Sequence, residues 1–171
     1  MDYQNIRTKY GKLMFNFTTK IGKFLVKHIW LYYILNYTWG LIMTIFGWLS
    51  LSLICLFDPL KIKNIGKFGP VIYLTIGDNW GGLSLGTTTF VADNMGDLWT
   101  VHTKCHELGH TFQNAILGPF MIFLVSIPSA IRYWYQKIRA MKDKTNKPYD
   151  AFWAEGSATE IGIYFYKNYL E

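Results

Sequence analysis

The sequence predicts an α+β fold that is mainly helical, with a short β-hairpin or small sheet ahead of a metal-binding helix. Three observations carry that expectation. Residues 29–57 run for 29 positions without a charged side chain, the pattern of a long apolar helix. Val71–Ile76 and Trp80–Val91 are extended in character, rich in β-branched and aromatic residues and separated by the turn residues Gly77-Asp78-Asn79. His106-Glu107-x-x-His110 then lies in a stretch that reads as helix from Leu98 to Ala115.

Composition narrows the setting. Half of the 171 residues are apolar and only 16% are charged, against about 25% in an ordinary soluble domain. The net charge of +6 comes from lysines and arginines that flank apolar runs. That arrangement suits anionic lipid and gives no basic patch for nucleic acid. Two cysteines, Cys55 and Cys105, do not make a disulfide framework.

Residues 1–28 carry Arg7, Lys9, Lys12, Lys20, Lys23 and Lys27 against Asp2. Phe15, Phe17, Ile21, Phe24, Leu25 and Ile29 recur at near-helical spacing, so a basic amphipathic helix on a membrane surface and a basic pre-membrane tail both fit. A signal peptide does not, because the apolar run that follows is too long and lacks a cleavage site. Residues 29–57 are expected to form one transmembrane helix, since about 20 apolar residues cross a bilayer. Trp30, Tyr32 and Tyr33 suit an interface at one end, and Asp58-Pro59 stops the helix at the other.

The metal-binding domain spans 58–171. It opens with a basic linker at 58–70, followed by the two extended segments. Asp97 is the expected N-cap of the motif helix, which Gly118-Pro119 ends. Residues 115–131 are apolar but broken by Pro119 and Pro128, as in a re-entrant or membrane-associated segment. A basic stretch from Arg132 to Lys147 precedes a final helix from Tyr149 to Leu170. Lysines lie on both sides of the span, so charge alone sets no orientation.

The chemistry starts from the motif. Residues four apart share a helix face, so His106 and His110 can bind one zinc ion. Glu107 is aimed at the open side of the metal, where it can take a proton from a metal-activated water. A catalytic zinc usually has a third protein ligand. His102 stacks one turn too far along the same helix, His28 lies beyond the apolar run, and Cys105 points about 100° away from His106 around the helix. Glu155, in a run of small residues on the final helix, is the remaining good candidate. For both ligands to reach one metal, residues 115–131 must be re-entrant or interfacial, which is the preferred reading, or the site must lie at membrane depth, because the charged stretch after them cannot cross back.

Asn79–Gly86, His106–Gln113, Leu117–Pro119, Ile127–Trp134 and Glu155-Gly-x-Ala-Thr159 together resemble an uncharacterised group of small bacterial membrane proteins with a gluzincin metallopeptidase signature. The resemblance covers about residues 70 to 165. It implies a zincin-like domain anchored in the cell membrane, with Zn2+ held by His106, His110 and Glu155 and with Glu107 as catalytic base. Thr159 stands where many gluzincins place an aspartate that orients a metal histidine, which makes Glu160 and Asp150 the candidates to replace it. A strand beside the metal helix holds substrate in such sites, and Leu83–Val91 is the natural candidate, with Ser84, Gly86, Thr87, Thr88 and Thr89 leaving room for substrate and Gly86, Thr87 and Thr88 as the expected contacts.

Three functional classes remain open on the sequence. They are a membrane-anchored zinc metallopeptidase acting on peptide or protein, a zinc hydrolase of a lipid or cell-wall amide, and a non-catalytic membrane module.

Overall fold

The computed structural model describes residues 4–77, 80–93, 97–142 and 147–171. Its helices are α1 (Lys9–Lys27), α2 (Ile29–Tyr37), α3 (Leu41–Phe57), α4 (Asp97–Leu117), α5 (Ile127–Ala140) and α6 (Trp153–Tyr169). Between α3 and α4 lie β1 (Ile62–Phe68), β2 (Val71–Ile76), β3 (Gly82–Leu85) and β4 (Thr88–Val91). The fold is α+β, with one mixed sheet in the order β1-β2-β4-β3. The β1–β2 and β3–β4 pairs are antiparallel, and β2 and β4 run parallel.

The helix pair α4–α6 forms the centre. It packs closely because each helix offers a glycine to the other's backbone. A Cβ on Gly109 would meet the Ala158 carbonyl, and one on Gly162 would meet the Cys105 carbonyl. Leu108 and Phe112 of α4 and Ile161 and Phe165 of α6 form a core with Leu25 and Val26 of α1, Tyr32 of α2 and Val71 of β2.

The N-terminal segment is an amphipathic helix, but it is built into the domain. Its Gly11, Thr18, Gly22, Leu25 and Val26 face is buried, with Gly22 against Ile161. Tyr10, Leu13, Phe17 and Phe24 point outward.

The expected single helix over 29–57 is broken. α2 and α3 meet at a bend of 84°, and among the described residues no single helix is long and apolar enough to cross a membrane. Polar residues hidden in the apolar run explain the break. Thr44 Oγ1 donates to the Asn36 carbonyl (3.0 Å), while Asn114 of α4 donates to Asn36 Oδ1 (2.7 Å) and to the Gly40 carbonyl (3.1 Å). Backbone groups released by the break are thus satisfied by a neighbouring helix, which is the condition for breaking a helix in an apolar setting.

The expected linker at 58–70 is largely a strand. β1 is an edge, and its exposed lysines suit a strand that must not pair with another chain. The motif helix runs two residues further than expected at its C-terminus and already includes Asp97, whose side chain lies outside the described residues. The Asp78 and Asn79 portion of the expected turn also lies outside them. After α4, a 3-10 turn at Gly118–Phe120 and a π-helical turn at Ile122–Ser126 reverse the chain. The segments Leu98–Phe120 and Ile122–Ala140 meet at a bend of 116°.

Candidate metal centre

The motif helix and the first turn of α6 bring three ligand atoms together. His106 Nε2 lies 3.0 Å and His110 Nε2 3.3 Å from Glu155 Oε2, and the two imidazole Nε2 atoms are 3.2 Å apart. At bonds of about 2.0–2.1 Å, a tetrahedral zinc holds its ligand atoms roughly 3.3 Å apart. The spacing therefore fits one small ion. His106, His110 and Glu155 are also the one such cluster among the described residues.

Both imidazoles are held with Nε2 turned inward. Gln113 donates through Nε2 to the Ala154 carbonyl (2.7 Å) and to Ser157 Oγ (2.8 Å), so its Oε1 is left to accept from His110 Nδ1 (2.7 Å). Thr159 donates to Asp150 Oδ1 (3.3 Å) and accepts from His106 Nδ1 (2.8 Å). With the Nδ1 protons assigned by these networks, the two Nε2 atoms face each other and a carboxylate, an arrangement that calls for a cation between them. Glu155 Oε1, buried without a hydrogen-bond partner, adds to that need.

The electrostatics agree. Burial would raise the Glu155 carboxyl, but the facing His110 and His106 imidazoles outweigh it and hold it well below the usual carboxylate range. Burial opposes charge on His110, yet the Glu155 carboxylate raises it to about 9. The field at this point favours a positive charge, whether proton or metal ion.

Glu107 is buried beside the cluster without belonging to it. Burial raises its carboxyl, partly offset by the two imidazoles and a hydrogen bond with Ser84. Gly82 of β3 lies against its carboxylate, where a Cβ would collide. Tyr149, just before α6, has its ring 6.4 Å from that of His106. Burial and the Glu155 and Glu107 carboxylates push its ionisation upward, so it remains a proton donor. All of these groups face a cavity of about 870 Å³ between β3 and α5.

The other candidates sit elsewhere. His102 lines the cavity rim, His28 stacks on Phe24 (4.2 Å between ring centroids), and Cys105 is buried with its thiol pushed up to about 11 by desolvation. Lys104 lies 3.8 Å from the centre of the Tyr73 ring on the sheet. Glu160 pairs with Lys23 at 2.6 Å, which leaves Asp150 as the carboxylate behind Thr159.

Of the expected Leu83–Val91 stretch, Leu83 and Ser84 line the cavity, whereas Gly86, Thr87 and Thr88 do not. Gly86 forms the tight β3–β4 turn at φ 59° against the Thr44 backbone, and Thr87 and Thr88 are buried away from the cavity. Thr88 lies in β4, a central strand, whereas β3 is the edge strand on the cavity side, and its Gly82, Leu83 and Ser84 line the cavity. Sequence reasoning missed Gln113, although its place three residues after His110 puts both on one helix face. It also missed Tyr149, for which the sequence offers no such signal.

Compared with protein-family models, characterised proteins and solved structures, the chain matches none. The site must be judged on its own geometry.

Replacing Gln113 by Leu removes the acceptor that fixes His110. Metal affinity should fall by roughly 10–100-fold, read by competition with a chelating dye, while the α4–α6 packing keeps the fold.

Proposed function

We propose that the chain is a membrane-anchored zinc metallopeptidase of gluzincin type, resident in the bacterial cell membrane. Support comes chiefly from the convergence of His106 Nε2, His110 Nε2 and Glu155 Oε2 at the spacing of a tetrahedral ion. Two imidazoles and a carboxylate suit Zn2+. Bound zinc would polarise the scissile carbonyl and make water nucleophilic at neutral pH.

The chain's own residues divide the remaining work. Glu107 takes the proton of the attacking water on its carboxylate and returns it to the leaving amine, a task for which its burial-raised carboxyl is suited. Tyr149 presents a hydroxyl donor at the cavity, beside the reacting carbonyl. The β3 edge, Gly82–Leu85, receives an extended peptide as an added strand. The cavity's apolar Met121 and Val125 also favour a second reading, in which the amide belongs to a lipid-linked substrate.

Metal analysis of purified wild type beside Glu155→Ala tests the reading. Wild type should hold about one zinc per chain, as the three-ligand site requires, and the variant should hold none. A wild type without stoichiometric zinc defeats the proposal. Hydrolysis of peptide and lipid-amide panels then separates the two substrates.

Anchoring rests on the outward side chains of α2 and α3, among them Trp30, Ile34, Ile45, Phe46, Leu49, Leu53, Leu56 and Phe57. So large an apolar surface is normal only against lipid or a partner. The chain should stay with membranes through an alkaline carbonate wash, and its release into the supernatant would reduce the segment to a peripheral contact.

A further inference from the structure

α5 has two faces with different surroundings. Ala130, Tyr133 and Lys137 turn toward the cavity that contains Glu107 and the ligand cluster. Ile127, Ile131 and Ile138 form an exposed apolar stripe on another side, at spacings of four and seven residues that keep them on one helix face. Met141 continues the stripe just beyond the helix.

Further exposed apolar side chains precede the stripe along the chain. Trp39, at the α2–α3 break, lies 6.2 Å from Phe120 between ring centroids, and both are largely exposed, as is Phe123 next along the chain. The charge pattern beside the stripe is one-sided. Arg139 and Lys142 flank it, and the sequence carries no acidic residue from 108 to 142. Lys137 lies 5.2 Å over the Trp134 ring and Arg139 5.6 Å over the Tyr135 ring, so this end of α5 presents the mixed aromatic and basic side chains that suit a membrane interface. On its inner side α5 is tied down. Arg132 and Gln136 donate to the carbonyls of Pro148 and Lys147, next to Tyr149 (both 2.9 Å). The helix therefore cannot tilt away without disturbing the cavity.

We propose that α5 lies in the headgroup region of an anionic bilayer and brings one wall of the metal cavity to that surface, so that the substrate is an amphiphilic peptide presented from the membrane. Binding of this kind combines burial of an apolar stripe with attraction of basic side chains to anionic lipid. The substrate half of the proposal rests on the metallopeptidase reading above, whereas the placement of α5 does not.

The full chain, carrying Cys55→Ser, is reconstituted into phosphatidylcholine vesicles with and without phosphatidylglycerol. An environment-sensitive fluorophore is attached at Ile131→Cys, at Ile138→Cys, or at Ala140→Cys on the opposite side of the helix. The Ile131 and Ile138 probes should be quenched by brominated acyl chains, more strongly with phosphatidylglycerol, and the Ala140 probe should not. Equal quenching at all three sites, or none at any, overturns the placement of α5.

In a second arm, one peptide sequence is supplied free in water and as an N-acylated form in the vesicles. Wild type should cleave the acylated form several-fold faster. The double variant Ile131→Glu/Ile138→Glu should lose that advantage and keep its rate on the free peptide. Equal rates on both forms with well-quenched probes overturn the substrate half alone. If neither peptide is cleaved by zinc-loaded protein, the peptidase reading and the substrate half fall together, and the probes still decide where α5 lies.

Discussion

Glu107→Gln protein should retain its zinc while peptide hydrolysis falls by roughly 10²–10⁴-fold, the usual worth of a positioned general base. Glutamine preserves the size and hydrogen bonding of the side chain, so the pocket made by Gly82 and Ser84 stays filled. It has no carboxylate to take a proton from the attacking water. His110→Ala differs in kind, because it removes a member of the three-ligand cluster. That variant should lose metal and activity together. Metal content by mass spectrometry beside peptide kinetics makes the distinction, and a metal-free Glu107→Gln protein would show that Glu107 is a ligand and the role assignment wrong.

Gly162→Ala should lower the apparent Tm by roughly 2–12 °C, from an overpacking cost of about 1–3 kcal/mol spread over a chain of this size. The new methyl group would collide with the Cys105 carbonyl, which is helix backbone and cannot rotate aside. Relief requires α6 to move off α4, and that motion separates Glu155 from His106 and His110. Zinc affinity should therefore fall with stability, although residue 162 touches no ligand. Gly81→Ala is the control, since its Cβ would enter open space. Thermal melts with and without zinc, run on both variants, measure the effect. A Gly162→Ala protein with wild-type Tm and zinc affinity would mean that the two helices are not held at the separation described.

The local parts of the site were legible because a helix fixes its own spacing. His106, Glu107 and His110 needed only their four-residue interval to be placed in one corner. Glu155 was reachable by elimination, and the small residues around it correctly implied a close helix contact. Thr159 stood where a gluzincin aspartate was expected, and its hydroxyl passes the contact on to the Asp150 carboxylate. Tyr149 was not legible, since nothing near it in sequence indicates that it will sit beside Glu155.

The α+β class, the motif helix with two extended segments before it and a final helix after it, and the identity of the three converging residues were determined by the sequence itself. They rest on composition, on periodicity, on a motif whose geometry is internal to one helix and, for Glu155, on elimination. Contacts between distant segments decided the rest. β1 looked like a basic linker because its lysines are those of an edge strand, and only pairing with β2 makes it one. The apolar run read as a single span until Asn114, more than 70 residues away, accepted the task of satisfying the backbone at Gly40. Of the expected Leu83–Val91 stretch only Leu83 and Ser84 reach the cavity, because β4 is enclosed between β2 and β3, and strand order is a property of the sheet that no single strand carries.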